Sequence, residues 1–107
     1  MNPHPGEVWL ADLGLAAKTR PVVIVSRYDE DPPRALAVYV PLTTQDRRSK
    51  YEVEIPTLPF LRQQGVANVQ GIASIPTSRL ERKLGQLPSE TLHKIREALA
   101  YLLECAR

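Results

Sequence analysis

The chain has 107 residues, 43% hydrophobic and 24% charged, which suits one soluble globular domain over 1–107 whose poor surface-to-volume ratio favours a homodimer. Fourteen Lys and Arg against twelve Asp and Glu leave a net charge of +2, so composition alone gives no general grip on nucleic acid. The apolar runs are too short to cross a bilayer, no secretory signal opens the chain, and one cysteine, Cys105, excludes an internal disulfide or a cysteine-rich metal site; no membrane role follows and the cytoplasm is the expected compartment.

Ten prolines and five glycines divide the chain up to Pro88 into short pieces rich in Val, Ile and Tyr, a pattern of strands. Glu7 to Leu13 alternates as a first strand. Arg20 to Arg27 is a nearly continuous apolar strand, expected to be buried on both faces, and Ala35 to Leu42 is a third. The acidic run Asp29-Glu30-Asp31 lies in the loop between them. Tyr51 to Ile55 has strict period 2, with Tyr51, Val53 and Ile55 on one face and Glu52 and Glu54 toward solvent. The Pro-broken connection from Pro56 to Gly65 has room for a single helical turn. Val66 to Ile75 reads as one fifth strand, in which Gly71 marks a bulge or a close backbone approach. Arg79 to Leu84 reads as a shorter turn of helix or an irregular segment. Ser89 then caps an amphipathic helix of about 16 residues, in which Leu92, Ile95, Leu99, Leu102 and Leu103 recur at three- and four-residue steps. Cys105, near its end, reads as a small packing residue. The expected class is α+β, mainly β: a barrel or sandwich of short strands with one C-terminal helix.

Two polar segments stand at the mouths of the apolar runs. Lys18-Thr19-Arg20-Pro21 places an obligate cation at a rigid strand edge, and Val40-Pro41-Leu42-Thr43-Thr44-Gln45 closes the next run with two hydroxyls and an amide. Together they suit a phosphodiester, because a guanidinium fork can hold two phosphoryl oxygens where Lys would act as a point charge. Thr43 could donate its hydroxyl to the same phosphate. The two histidines, His4 and His93, have no partner at metal-ligand spacing, and neither a Gly-x-Ser-x-Gly elbow nor a Gly-rich phosphate loop occurs. What remains is a site without metal or cofactor, suited to cleavage of RNA by its own 2′-hydroxyl, where the protein aligns the nucleophile and stabilises charge on the phosphoryl oxygens. Arg20 is protonated throughout the physiological range and is a poor general base. Glu7, Asp12, Asp46 and solvent all stand as candidates for proton removal. Arg47, Arg48 and Lys50 form one basic cluster and Arg79, Arg82 and Lys83 another. Trp9, Tyr39 and Phe60 read as core or interface residues, whereas Tyr28 and Tyr51 lie near loops where they could stack bases.

The ordered combination of Gly6-Glu7-Val8-Trp9-Leu10-Ala11-Asp12-Leu13, Lys18-Thr19-Arg20-Pro21-Val22-Val23-Ile24-Val25-Ser26 and Val40-Pro41-Leu42-Thr43-Thr44-Gln45 resembles the MazF/PemK family of toxin endoribonucleases. The resemblance continues from Gly65 to Ile75 and into the closing helix, covering most of the chain. It implies an SH3-like, PemK/CcdB-type barrel, a homodimer and metal-independent, sequence-specific cutting of single-stranded RNA to 2′,3′-cyclic phosphate and 5′-hydroxyl ends. By the same resemblance Arg20 and Thr43 are the catalytic pair and a small MazE-like antitoxin is the partner. The RNA-binding candidates are Lys18, Thr44, Gln45, Arg47, Arg48, Lys50, Gln70 and Ser74. Two segments depart from the family pattern: Gly14-Leu15-Ala16-Ala17 is short and uncharged, and Ala73 stands where relatives usually place Arg or Lys. Arg47, Arg48 and Lys50 could supply the missing contacts. Two rival readings are a CcdB-like gyrase-binding toxin on the same barrel, against which the Arg-Pro and Thr-Thr-Gln segments argue, and an RNA- or partner-binding module without catalysis.

Overall fold

A computed structural model describes residues 2–14, 18–63 and 65–105. Its strands are β1 (Glu7–Asp12), β2 (Thr19–Ile24), β3 (Leu36–Thr43), β4 (Glu52–Glu54), β5 (Val66–Asn68), β6 (Ala73–Pro76) and β7 (Leu80–Gln86), followed by the helix α1 (Ser89–Leu102). They form one antiparallel, seven-stranded sheet in the order β4-β5-β3-β2-β1-β7, with β6 also on β3. The mainly β architecture with a closing helix is the expected one. The hydrogen-bonded ladder is open, however, with β4 and β7 at its two ends.

Side-chain alternation divides the interior in two. Val8 and Val23 pack on one side of the central strands, and Trp9, Ala11, Val22 and Ile24 pack on the other. The continuous apolar run in β2 is therefore buried on both faces, as its composition required. The helix covers the first cluster through Ile95, which is fully buried; removing an aliphatic side chain of this kind costs about 2–5 kcal/mol. No helix among the described residues is long and apolar enough to cross a membrane.

Several local expectations are corrected. Val66 to Ile75 is two strands, both along the same edge of β3: Ala67 pairs with Leu42 and Ala73 with Tyr39. The intervening chain is longer than that edge needs, and a 3-10 turn at Val69–Gly71 takes up the excess, with the Asn68 side chain accepting from the Gln70 amide at 3.1 Å. The close approach expected at Gly71 is present, since a side chain there would meet the Pro41 ring at 2.7 Å. The segment read as helix or irregular chain is mostly β7, preceded by a 3-10 turn at Thr77–Arg79. Glu81-Arg82-Lys83-Leu84 has good helix formers, but β1 offers a free edge, and pairing from Glu7 with Gln86 to Ala11 with Leu80 overrides local propensity. The connection before Gly65 contains, among its described residues, only an isolated turn, closed by the Leu61 amide on the Leu58 carbonyl at 3.1 Å.

Ser89 is not the helix cap: Pro88 occupies that position, no side chain bonds there, and Ser89 is the first helical residue. The helix ends after 14 residues. Leu103 is left exposed and Glu104 takes a positive φ of 56°, which turns the chain away from the helix axis. Cys105 is consequently exposed and is not a packing residue.

Candidate active site

The site lies where the β2–β3 ladder ends. Ladder pairing between β2 and β3 runs from Ile24 with Tyr39 to Val22 with Pro41 and stops there. The Val25 amide donates to the Val38 carbonyl at 2.9 Å, so alternate positions 25, 23 and 21 face β3, and Pro21, which carries no N–H, cannot supply the next donor of this ladder. Beyond that point β2 stays with β1, pairing Pro21 with Leu10 and Arg20 with Ala11, whereas β3 runs on along β5, pairing Leu42 with Ala67 and Thr43 with Val66. A groove of about 560 Å³ opens at this parting of strands. Arg20, Thr43 and Thr44 line it together, and it extends between the unpaired ends of the sheet to Ile55 and to Arg82 and Leu84 of β7. Its apolar lining is Leu10, Pro21, Leu42, Ile55, Phe60, Leu61 and Leu84; among the described residues its polar lining includes Arg20, Arg62 and Arg82 and no carboxylate.

Thr43 is fixed from two sides. Its Oγ1 accepts the Gln45 amide at 3.1 Å, which leaves the hydroxyl proton for donation. Gly65 passes so close that any side chain there would overlap the Thr43 carbonyl. A glycine is required by this backbone approach, not by its φ angle.

The connection after Thr43 is exposed from Thr44 to Lys50, yet its backbone is tied down. Glu52 accepts from the Arg47 amide at 3.0 Å, the Ser49 amide at 2.9 Å and the Ser49 hydroxyl at 2.8 Å, while Asp46 accepts from the Arg48 amide at 2.8 Å. The Arg47 and Ser49 backbone donors hold the Glu52 carboxyl below its usual range. Glu52, expected simply to face solvent, is thus the anchor of the basic loop. Arg48 adopts a φ of 57° within it.

The sequence matches the model of a family described as PemK-like, MazF-like toxin of type II toxin-antitoxin system over residues 4–103. The chain belongs to this toxin family. A relative named probable endoribonuclease MazF5, from Mycobacterium tuberculosis, is 29% identical over 106 residues, spanning 98% of this chain and 96% of its own. A mycobacterial endoribonuclease solved in complex with its cognate antitoxin superposes with a TM-score of 0.85 at 30% identity, covering 98% of each chain. The Mycobacterium tuberculosis toxin MazF-mt6 gives a TM-score of 0.82 at 26% identity, over 94% of this chain and 99% of that one.

In this toxin the groove gathers Arg20, Thr43 and Thr44 from the residues singled out in the sequence. Gln45, Arg47, Arg48 and Lys50 are exposed on the adjoining loop, outside the groove lining, and the Lys50 ammonium sits 5.4 Å from the centre of the Tyr101 ring. Lys18, with a φ of 55°, and Gln70 and Ser74 are also exposed outside the lining. Of the short segment 14–17, residues 15–17 lie outside the described residues. Ala73 is exposed on β6 and is not among the residues that line the groove.

Sequence reasoning missed Arg62, Gln63 and Phe60 as groove residues, and it left Arg82 in an unassigned basic cluster. For Arg82 the available signal was period 2 with Leu84, concealed by the helix-forming composition around it. The other three sit on a Pro-broken connection, where no periodicity fixes direction. Trp9 is a core residue, as read, and Tyr28 stacks on His4 with ring centres 4.0 Å apart.

None of the three carboxylates considered for proton removal lines the groove. Glu7 is buried; one oxygen accepts the His4 amide and the Trp9 indole N–H, each at 3.0 Å, and the other faces the Lys83 ammonium at 3.2 Å. Burial works against its ionisation, but the Trp9, His4 and Lys83 partners together outweigh it and lower the pKa. Asp12 accepts the Gly14 amide at 2.9 Å, and Asp46 is engaged by Arg48.

Proposed function

We propose that this toxin is a metal-independent endoribonuclease that cuts single-stranded RNA, with Arg20 and Thr43 at the cleaved phosphate. The observation that carries the reading is their shared position, on separate strands, in one groove whose other described charged lining residues are Arg62 and Arg82. That lining suits an extended polyanion. The 2′-hydroxyl attacks phosphorus, the bond to the 5′-oxygen breaks, and the products carry a 2′,3′-cyclic phosphate and a 5′-hydroxyl. Arg20 balances charge accumulating on the phosphoryl oxygens, and Thr43 donates a hydrogen bond to the same group. The three candidate carboxylates being engaged elsewhere, water in the open groove takes the 2′-proton and returns one to the leaving 5′-oxygen. Arg47, Arg48 and Lys50 extend the basic surface beyond Thr43 and contact flanking phosphates, while Lys18, Thr44, Gln45, Gln70 and Ser74 supply further polar contacts.

The names of its relatives support this activity, and the antitoxin bound to one of them supports a small acidic antitoxin as partner, laid into the same groove. The toxin acts in the cytoplasm as a homodimer. The test is incubation of the purified protein with a long RNA in excess EDTA. Discrete cuts whose 5′ ends accept a kinase label without prior phosphatase treatment are expected; no cutting, or cutting abolished by EDTA, refutes the proposal.

A further inference from the structure

The groove joins three guanidinium groups to an apolar floor open to water, and among the described residues its wall contains one aromatic ring. Phe60 is half-buried: it packs on the core from one side and also lines the groove. Its place depends on Gly85 of β7, because a Cβ at 85 would overlap the ring. β7 therefore provides a flat backing surface for Phe60, with Leu84 and Arg82 beside it on the groove wall.

A ligand that fits this lining needs an anionic part for the arginines and a flat apolar part for the floor. A nucleotide has both. Resting on the endoribonuclease reading, we infer that Phe60 forms a base-stacking subsite, backed by Gly85, for the nucleobase next to the phosphate held by Arg20 and Thr43. Because the same groove holds clamp and ring, the stacked base belongs to a nucleotide flanking the cut. Stacking on an aromatic face tolerates any base, so this subsite supplies affinity and aligns the phosphate without by itself setting the recognition sequence.

The cut is first mapped on a long RNA. A short oligoribonucleotide spanning it, with a 2′-deoxy sugar at the attacking position to prevent cleavage, is then titrated by fluorescence anisotropy with either flanking base intact or abasic. Phe60→Leu keeps apolar packing and removes the flat face; it is expected to weaken binding about tenfold. One of the two abasic substitutions weakens wild-type binding by a similar factor, and combining it with Phe60→Leu adds little. Gly85→Ala, which must displace the ring from its backing, weakens binding in the wild type but not in the Phe60→Leu background. Unchanged binding by folded Phe60→Leu, or losses that simply multiply with both abasic substitutions, overturns the subsite while leaving the endoribonuclease reading intact. Failure of the wild-type protein to cut any RNA overturns both.

Discussion

Glu7 gives the sharpest separation of a structural role from a catalytic one. Replacing it with Ala leaves the Trp9 indole N–H without its acceptor in a side chain only 8% exposed and removes the partner of Lys83. An orphaned buried donor costs about 1–3 kcal/mol, and with the lost His4 and Lys83 contacts the total is about 2–4 kcal/mol. For a domain of this size that is a fall of about 10 °C or more in Tm. Glu7→Gln keeps an oxygen for Trp9 and His4 and gives up only the ion pair, whose Lys83 side chain is 49% exposed, so its cost is about 1 kcal/mol or less at neutral pH. The folded protein lowers the Glu7 pKa below its ordinary 4.5, so the stability contributed by the charge is complete above that value and disappears as pH falls through the folded pKa. Urea titrations followed by the fluorescence of Trp9, the only tryptophan, from pH 7 down to pH 3 should show the gap between wild type and Glu7→Gln closing below about pH 4.5. RNA cleavage at neutral pH should stay within about threefold of wild type. A folded Glu7→Gln protein that has lost cleavage a hundredfold would make Glu7 the base and refute the structural assignment; a stability gap independent of pH would refute the ion-pair account.

Arg20→Lys and Thr43→Ala should each lower kcat by about 100- to 1,000-fold, the range for removing one preorganised donor to a charged transition state, with little change in thermal melting. An Arg20→Lys variant cutting at wild-type rate would exclude the bidentate role. Gly65→Ala must displace the Thr43 backbone, so both a loss of about 1–3 kcal/mol by chemical denaturation and a lower kcat are expected; wild-type values of both would show that the close approach is dispensable. Glu52→Ala frees the Arg47 and Ser49 amides, and its effect should fall on KM for RNA and on the salt dependence of binding rather than on kcat. Amide hydrogen exchange at Arg47 and Ser49 should quicken in the same variant, and unchanged exchange would remove Glu52 as the anchor.

Much of the fold is local and therefore legible in the chain. The continuous run Val22-Val23-Ile24 demanded burial on both faces, the strict alternation of Tyr51 to Ile55 fixed Val53 and Ile55 inward, and the spacing of Leu92 and Ile95 defined the buried stripe of α1. Arg20 and Thr43 were legible for a related reason: each stands where a proline-marked apolar run meets polar sequence. Other features depended on partners distant in sequence. β7 is a strand because β1 had an unfilled edge, and Val66 to Ile75 divides because β3 is shorter than that segment. Glu7, a plausible base from its residue type, became a buried anchor once Trp9 and Lys83 closed around it.

Most of the strands, the helix and the residues proposed to bind phosphate can be read along the chain, because periodicity and residue chemistry act over a few neighbours. Folding in three dimensions was needed to bring Arg20 and Thr43 into one groove, to complete its lining with Arg62, Arg82 and Phe60, and to keep Glu7, Asp12 and Asp46 out of it. Those facts depend on where two strands separate and which distant segments fill the space between them, and no local pattern encodes that geometry.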